Sequence, residues 1–587
     1  MPPNYRLVFL SDVARILLLP TSLVTLIVYA LSRLDMSTHV SRLSRLELLV
    51  IYTLPIPLFW ICDAILNVWV VRFQAWRLGV GLIRSIKGKK IGNVDVLQRI
   101  AVEMQKEYAG GLIDDLLDEA GSDTVQVSIL GTNKIFTRDP ELYRHVMVGG
   151  FQNFGKGPGL AIRAATLYGS AIVWVDGPLW KFHRTLTTPY FTRAHLNDLH
   201  IFEKHSSALI ERMKPLVESG EAMDVQDLLG RTFMDLSCEY VLGVPLDSLN
   251  GLLPVAGKAV LGPRGSRNPQ ATKADSSGLT DAMEAGLINM GRRRAQGDFV
   301  WRALEFFKDS QEGPVKISNA WLDPIVNQAY EAKAKGVDGD GPNTFLQHTV
   351  ATIDDRKLAK DAMLTVVLSA RDTTASLLTF MIYFWTKHPE ALARLRAEVL
   401  EVVGPFAMPT HSALGSMPYL RAVVNETLRL FPSIPVHERQ ALQSCVAPTR
   451  EGPQYIPKGS SVILSTISIH RSQQLWGEDA EVFNPERWMD RSAKESDTSR
   501  FMPFLMGPRA CLGKDMALLQ VTFMATRLVQ YFGGFTLAQV ESAPEGALPP
   551  TSWKSAGGRK GEEEVWPRSA LTMFAKGGMW VKMTMNE

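Results

Sequence analysis

Apolar residues are most concentrated at the start of the chain. Two runs there, at 14–31 and 48–71, contain one charged residue each, Arg15 and Asp63. A helix needs about 20 apolar residues to cross a bilayer, so the second run is long enough and the first, which a proline interrupts, is marginal. We therefore predict a membrane anchor at 1–75 with two transmembrane segments.

The first run could also be a secretory signal peptide, because Val28-Tyr29-Ala30 could mark a cleavage site. The second run and the cysteine content argue against secretion, since four cysteines in 587 residues cannot build a disulfide framework and fit a reducing compartment. Arginines lie on all sides of both runs and do not settle the topology. The basic run at 84–90, within a predicted basic linker at 76–97, favours a cytosolic catalytic domain.

From residue 98 to 587 the pattern is that of a globular domain. Alternating apolar and polar positions predict strands at 124–136 and 454–468. A Gly-, Pro- and Ser-rich stretch at 250–278 predicts a loop that could be disordered. Apolar positions at helical spacing predict helices at 196–213, 222–242, 358–385, 389–403 and 420–431. The domain is therefore expected to be mainly α with a smaller β region.

Charge and composition narrow the class of protein only a little. The formal net charge of +3 at pH 7 gives no support for nucleic-acid binding. Hydrophobic residues make up 46% of the chain and charged residues 21%, which is ordinary for a globular protein with a core.

One cysteine carries the strongest chemical signal. The stretch from Phe504 to Gly513 reads F-x-x-G-x-R-x-C-x-G and places Cys511 in a loop that leads into a predicted helix. We expect Gly507 and Gly513 to adopt backbone angles or close approaches that a side chain would block. Arg509 and the free amides of the helix N-terminus would favour the thiolate. A thiolate presented in this way suits the axial bond to haem iron.

The loop around Cys511 resembles the haem-binding loop of cytochromes P450, and a polar interruption in the long apolar helix supports the resemblance. Alone, Asp372 and Thr373 could be a solvated patch on that helix. Beside the cysteine loop, they resemble the family's oxygen-activation motif, with Ser369 and Ala370 as its small residues. The resemblance implies that Thr373 donates a hydrogen bond to bound dioxygen and that Asp372 relays protons from solvent.

A second group of residues resembles the family's haem-binding positions. Trp180 and Arg184 lie four residues apart on a predicted helix, although a core tryptophan and a surface arginine would be the ordinary interpretation. The resemblance implies this set of cofactor-binding residues: Trp180, Arg184, Arg439, Arg509, Phe504 and Gly507. Three arginines would match the charge of the two haem propionates.

A third group resembles a structural motif of the same family. Glu426 and Arg429 form E-x-x-R on a predicted helix, and Arg487 lies in Phe483-Asn484-Pro485-Glu486-Arg487-Trp488. The resemblance implies that the three charges form an ion-pair network under the haem. We interpret them as fold residues and not as catalytic residues.

The segments Phe154-Gly155-Lys156-Gly157 and 175–184 are similar to those of fungal membrane P450s, in particular basidiomycete members related to alkane and fatty-acid hydroxylases. The resemblance implies a cytochrome P450 fold at 98–587, preceded by N-terminal transmembrane helices and binding haem b. It also implies a monomer at the endoplasmic reticulum membrane, with the catalytic domain in the cytosol.

Electrons would come from NADPH through a separate cytochrome P450 reductase, with cytochrome b5 as a further candidate partner. We expect an acidic partner to dock on a basic face. The candidate residues for that face are Lys181, Arg193, Arg500 and Lys514.

The function implied is a haem-thiolate monooxygenase that inserts one oxygen atom from O₂ into a C–H bond of a lipophilic substrate. That substrate would be a terpenoid or other secondary metabolite, or an alkane or fatty acid. One alternative is a haem-thiolate isomerase or dehydratase, which would need neither Asp372 nor Thr373; another is a membrane scaffold without catalysis, against which the intact Cys511 loop argues. The resemblance places the substrate pocket at four apolar segments, 160–175, 306–307, 363–368 and 434–436.

Overall fold

Helices dominate the architecture. The computed structural model describes residues 4–33, 44–106, 108–129, 131–191, 198–273, 275, 277–336, 344–489 and 500–586. In the first half of the chain the helices are α1 (Tyr5–Arg33), α2 (Arg45–Thr53), α3 (Pro55–Leu78), α4 (Val94–Lys106), α5 (Gly111–Ala120), α6 (Pro140–Arg144), α7 (Gly157–Tyr168), α8 (Gly177–Thr187), α9 (His200–Glu218), α10 (Val225–Leu242) and α11 (Leu279–Gln296). They continue with α12 (Asp298–Leu304), α13 (Glu312–Ala334), α14 (Phe345–Thr352), α15 (Arg356–Lys387), α16 (Pro389–Val402), α17 (His411–Gly415), α18 (Pro418–Leu430), α19 (Thr466–His470), α20 (Gln473–Trp476), α21 (Lys514–Tyr531), α22 (Gln539–Ser542) and α23 (Arg559–Glu562).

The strands are short and form small sheets. In chain order they are β1 (Gly81–Leu82), β2 (Arg84–Ile86), β3 (Thr124–Ile129), β4 (Thr132–Thr137), β5 (Phe154–Gly155), β6 (Met223–Asp224), β7 (Val260–Leu261), β8 (Ser266–Arg267), β9 (Val436–Ala441), β10 (Cys445–Ala447), β11 (Gln454–Ile456), β12 (Ser461–Ser465), β13 (Phe532–Leu537), β14 (Pro567–Ala570), β15 (Thr572–Ala575) and β16 (Trp580–Met585). The sheets have the strand orders β2-β3-β4-β12-β9-β5, β1-β11-β10, β13-β16-β6, β14-β15 and β7-β8.

Strand β9 in the six-stranded sheet positions two basic residues. It pairs antiparallel with β12, and Arg439 lies opposite Val462. Because successive side chains of a strand point to opposite faces, His437 and Arg439 share one face of β9. Both are buried. The sheet therefore holds two basic side chains inside the protein.

The central helix is α15. Its N-terminus is capped by Asp355, whose Oδ1 accepts from the backbone N–H of Lys357 at 2.9 Å. Every residue from Thr374 to Trp385 is buried, which is the pattern of a helix surrounded by other elements. The helix packs against α10, α18 and α21, so a polar group on it is either paired inside the protein or faces an internal space.

Most of the predicted elements are confirmed. The helices predicted at 222–242, 358–385, 389–403 and 420–431 are α10, α15, α16 and α18, with ends shifted by a few residues, and β3 and β4 account for the strands predicted at 124–136. The prediction at 196–213 corresponds to α9, although its residues 196–197 lie outside the described ranges.

Two predictions need correction. The strand pattern at 454–468 is two strands of different sheets, β11 and β12, with 457–460 between them. It ends at Ser465, which pairs with the first residue of β9, and the chain turns there into α19. The stretch 250–278 is a loop, but its described residues are ordered. It contains the β7-β8 hairpin, and Arg264, Ser266 and Asp275 are buried.

The start of the chain forms long apolar helices. The stretches Tyr5–Ala30 and Arg45–Leu78 are long and apolar enough to cross a membrane, and an apolar 18-residue window in each is only 6% and 0% buried in the protein, respectively. Length and composition therefore suit these helices to a membrane anchor.

Candidate active site

Cys511 lies in a tight loop between the turn Gly507–Arg509 and the start of α21. Its backbone N–H donates to the carbonyl of Phe504 at 2.9 Å, which closes the loop. Gly507 has a φ of 70°, and a Cβ there would lie 2.3 Å from the carbonyl oxygen of Met147. Glycine is therefore required at 507, as the sequence predicts.

The prediction that a side chain at position 513 would be blocked is wrong for the described protein atoms. Gly513 has a φ of −84°, which any residue can adopt. A Cβ at this position would meet no described atom within 4 Å. The backbone and its protein neighbours therefore do not demand glycine there.

The cations around the Cys511 sulfur are not those that the sequence predicts. The charges of Arg184 and Lys514 lower the pKa of its thiol, whereas Arg509 forms an ion pair with Asp176. Burial by the surrounding protein raises the pKa of the Cys511 thiol, and the N–H of Gly513 and the two cations oppose that effect. The side chain nevertheless keeps an exposed surface. A metal cation bound to the sulfur would shift the balance to the thiolate.

Trp180 and Arg184 project from α8 toward the cysteine loop. Arg184 donates through Nη1 to the carbonyl of Ala510 at 2.7 Å. The guanidinium of Arg509 lies 4.7 Å from the centre of the Trp180 ring. Residues four apart share one face of a helix, and here that face meets the loop that carries Cys511.

Positive charge accumulates around Arg509. Burial, reinforced by the charges of Arg439 and Arg509, lowers the pKa of Lys156 well below its usual value. Burial also lowers the pKa of Arg509 to about 10, with Arg439 and Arg184 adding repulsion and Asp176 opposing it. Asp176 forms an ion pair with Arg509 at 2.5 Å. One carboxylate thus faces several cations.

Arg439 is buried without a carboxylate partner. It is 2% exposed, and its Nη1 donates to the carbonyl of Glu438 at 2.9 Å. No carboxylate among the described residues lies within ion-pair distance of it. Burying an unpaired charge is costly, so these cations suit a ligand with two carboxylates. Haem b has two propionates and an iron that accepts a thiolate, and it fits this set of side chains.

The sequence predictions missed two residues of this cluster, Lys156 and His437. Each had a signal in the sequence. Lys156 stands between two glycines in a segment quoted for its resemblance, and His437 is two positions before Arg439, a predicted haem-binding residue. Burial, followed by the charges of Arg439 and Lys156, lowers the pKa of His437 well below its usual value, so His437 adds a neutral polar group at neutral pH.

Asp372 and Thr373 are neighbours on α15 but have different surroundings. Asp372 is buried and forms an ion pair with Arg264 at 2.6 Å. Arg264 in turn donates to the hydroxyl of Thr572 at 2.6 Å. Burial alone would raise the pKa of Asp372, but Arg264 and Arg371 outweigh burial, and the pKa is lowered. The carboxylate is therefore ionised and held.

Thr373 is partly exposed, and its hydroxyl donates to the carbonyl of Ser369 at 2.8 Å. A polar cavity of about 100 Å³ lies beside Asp372, with Arg264 and Glu284 among its lining residues. The predicted pair is thus together on the helix, but a buried ion pair binds the acid. Arg264 lies 108 positions away in a predicted loop, and no local sequence pattern links the two residues.

The structure brings Glu426, Arg429 and Arg487 together. Glu426 and Arg429 have side chains that are 0% exposed, and two hydrogen bonds of 2.8 Å join them. Arg487 Nε donates to Glu426 at 3.0 Å, and Trp488 Nε1 donates to it at 2.9 Å. Burial would raise the pKa of Glu426, but the two arginines outweigh burial and lower it. The network joins α18 to the turn Pro485–Trp488.

Part of the predicted substrate pocket is wrong. Phe307 is 93% exposed, and the Phe306 ring packs on Phe9 at 5.6 Å, so neither lines an internal space. Met363 and Leu368 are buried in a core cluster with residues of α7. Ile434 and Val436 remain partly exposed.

The predicted docking face is also only partly supported. Lys181 and Lys514 are exposed. The guanidinium of Arg500 lies 4.3 Å from the centre of the Trp476 ring, and burial lowers its pKa, so it packs against the protein. Arg193 lies outside the described residues.

Comparison with known proteins identifies relatives over most of the chain. The family model for Cytochrome P450 matches residues 112–549. The chain is 30% identical over 461 residues to Cytochrome P450 monooxygenase pvhE of Talaromyces variabilis, covering 74% of this chain and 80% of the relative. It is 30% identical to Cytochrome P450 52A1 of Candida tropicalis (71% and 76% covered). It is 27% identical to Cytochrome P450 monooxygenase alt2 of Alternaria solani (85% and 92% covered).

Proposed function

Since the chain belongs to the cytochrome P450 family and is a haem monooxygenase supplied with NADPH electrons by a separate reductase, we propose that it hydroxylates a C–H bond of a terpenoid or other secondary metabolite, or of an alkane or fatty acid. The observation that carries the proposal is the Cys511 loop beside a set of cations that suits haem, the buried Arg439 and the partly buried Arg184 and Arg509. The substrate class rests on the resemblance to fungal membrane P450s related to alkane and fatty-acid hydroxylases. The likeness to basidiomycete members stays a prediction.

The membrane arrangement is part of the same proposal. Residues 1–75 would anchor the chain through α1, α2 and α3, residues 76–97 would form a basic linker, and 98–587 would be the haem domain. We infer an endoplasmic reticulum membrane with the haem domain in the cytosol, and a monomer. Lys181 and Lys514 would offer positive charge to the reductase and to cytochrome b5.

Four side chains would hold the cofactor. Cys511 would supply the axial sulfur, and Arg184, Arg439 and Arg509 would pair with the propionates, with Phe504 and Gly507 shaping the loop and Trp180 packing on Arg509. Bound haem supplies the redox chemistry that activates dioxygen. Gly507 keeps the loop close to Met147, so the sulfur is held by backbone contacts.

Thr373 and Asp372 would supply protons. To donate to dioxygen, the Thr373 hydroxyl would rotate away from the Ser369 carbonyl, giving up a hydrogen bond worth about 0.5–1.5 kcal/mol. To pass a proton from solvent, Asp372 would part from Arg264. The polar cavity beside this pair, with about 100 Å³ of space, has room for water molecules. Protons would enter there, through the cavity that Asp372 and Arg264 line.

The substrate class is tested by incubating the full-length enzyme with its reductase and a panel of alkanes, fatty acids and terpenoids. We expect members of one class to shift the haem Soret band and to give a product that carries one oxygen atom from O₂, with NADPH consumed. A product that is an isomer of the substrate or its dehydrated form, made without NADPH, would instead support the isomerase or dehydratase alternative.

Thr373→Ala is expected to uncouple NADPH use from product formation. Removing the hydroxyl removes a proton donor, and positioned general acids typically contribute about 10²–10⁴-fold, so product per NADPH should fall by about 10²-fold while hydrogen peroxide rises. The measurement is the ratio of product, hydrogen peroxide and NADPH in one assay. Thr352→Ala is the matched control, because the exposed Thr352 hydroxyl also donates to a carbonyl four residues earlier, at 3.1 Å. Equal coupling in both variants would rule out the role of Thr373.

A further inference from the structure

The first turns of α1 pack onto the haem domain. Tyr5 is 8% exposed. Its ring lies 5.0 Å from that of Trp301 in α12, and its hydroxyl donates to the carbonyl of Glu305 at 2.8 Å. One turn later, the Phe9 ring lies 5.2 Å from that of Phe299. Two aromatic residues of α1 thus hold α12 from one side.

An ion pair extends this contact by another turn. Asp12 lies 2.8 Å from Nη1 of Arg302, a nearly buried residue of α12. Positions 5, 9 and 12 follow the i, i+4, i+7 spacing of a single helix face. An acid in an apolar helix would be costly inside a bilayer, and Asp12 finds its partner in the haem domain. We call Tyr5, Phe9 and Asp12 the clamp.

The clamp also reaches α7. Tyr5 and Trp301 form a buried cluster with Ile162 of that helix. The guanidinium of Arg293 lies 4.5 Å from the centre of the Trp301 ring and donates to the carbonyl of Arg163 at 3.0 Å. The start of the chain therefore joins α12 to α7, a helix that overlaps the segment 160–175, which the sequence places at the substrate pocket.

Helices α1 and α3 pack against each other as a hairpin. The indole N–H of Trp60 donates to the carbonyl of Ile16 at 3.1 Å. The stretch from Ile16 to Arg33, where α1 ends, is about as long as the stretch from Ser44 to Trp60. The two arms of the hairpin therefore have similar lengths. At its other end α3 stops at Gly79, and Gly81 pairs with Gln454 in a sheet of the haem domain.

Both free ends of the hairpin therefore meet the haem domain, one through the clamp and one through β1. Between Arg15 and Arg33 the chain has no charged residue, which corresponds to about 26 Å of helix against a bilayer core of about 30 Å. Leu18, Leu26, Leu66 and Trp69 are exposed along the arms. A helix pair that is apolar on its outer faces suits a lipid environment.

We propose that the hairpin crosses the bilayer twice, that the N-terminus lies on the same side as the haem domain, and that the clamp ties the anchor to α7 and α12. The proposal rests on the proposed membrane attachment and is independent of the substrate class. Movements of the anchor in the membrane are thereby passed to two helices of the haem domain.

Topology is tested with cysteine labelling of the full-length haem protein in sealed microsomes whose cytosolic face is outside. Asn4→Cys, Ser44→Cys and Lys89→Cys introduce thiols at three exposed positions, and labelling by a membrane-impermeant maleimide is measured above that of the parent chain. We expect positions 4 and 89 to react in intact vesicles and position 44 only after permeabilisation.

Other patterns overturn the proposal in different ways. Protection of position 4 places the N-terminus in the lumen, and reaction of all three positions in intact vesicles means that the hairpin does not cross. Release of the protein by alkaline carbonate would show that the proposed anchor itself fails, whatever the topology.

The clamp is tested by hydrogen exchange on the haem protein in membrane nanodiscs. Tyr5→Ala should speed amide exchange in α12 and the start of α7 by about tenfold, because it removes a buried ring and a hydrogen bond, whereas Tyr29→Ala on the same helix should leave both segments unchanged. The absorbance band of the reduced carbon monoxide complex confirms that each variant retains folded haem protein. Unchanged exchange in Tyr5→Ala would show that α1 does not hold these helices.

Discussion

Cys511→Ser is expected to abolish monooxygenase turnover, lowering the rate by at least about 10³-fold, which corresponds to ~4 kcal/mol of barrier. Serine leaves the backbone hydrogen bond between residue 511 and Phe504 in place, so the loop should still form. It cannot supply the thiolate that pushes electron density into haem iron and favours O–O cleavage. The absorbance band of the thiolate-ligated carbon monoxide complex should vanish together with product formation.

Cys445→Ser is the matched control for this experiment. Cys445 is half-buried on β10, a strand that pairs with β11 and not with the loop at 504–513. The control should keep both the absorbance band and turnover. If Cys511→Ser also kept both, Cys511 would not be the axial ligand, and the assignment of the active site would be wrong.

Glu426→Gln is expected to lower the free energy of unfolding by about 3–5 kcal/mol, the usual effect of breaking a buried ion pair from one side. The change leaves Arg429, whose side chain is 0% exposed, without its carboxylate, and it weakens the contacts of Arg487 and Trp488. Denaturant unfolding, followed by haem absorbance and by circular dichroism, measures the loss.

Glu486→Gln is the control, because it also removes the charge of a glutamate paired with an arginine. Glu486 pairs with Arg394 on the surface, where about half of each side chain is exposed. Exposed ion pairs contribute about 0–1 kcal/mol, so this variant should unfold nearly as the parent does. A similar loss in both variants would mean that the buried network does not stabilise the fold.

The sequence predicted those parts of the site whose residues lie close together along the chain. The loop from Phe504 to Cys511 follows from residue type and local spacing, although the atoms that crowd Gly507 belong to Met147 and Val148, which are distant along the chain. Two pairs lie on single helix turns, where periodicity alone places both members on one face. They are Trp180 with Arg184, and Glu426 with Arg429.

Contacts between distant segments were not predictable in the same way. Arg264 reaches Asp372 from a loop 108 positions earlier, so the proposed proton relay starts from an ion pair that Asp372 would have to leave. Lys156 and Arg439 meet because β5 pairs with β9. The cations that act on Cys511 are Arg184 and Lys514 and not the nearby Arg509, because the direction of a side chain depends on packing from other elements.

The sequence by itself determined the family, the cysteine that would bind haem iron, the central apolar helix and the apolar start of the chain. These follow from residue type and short-range spacing, which act within one element. Only the tertiary structure decided which charges meet: Asp372 with Arg264, Arg184 with the cysteine loop, and Asp12 with Arg302. Such pairs depend on how helices and strands pack in three dimensions, and no period along the chain records that packing.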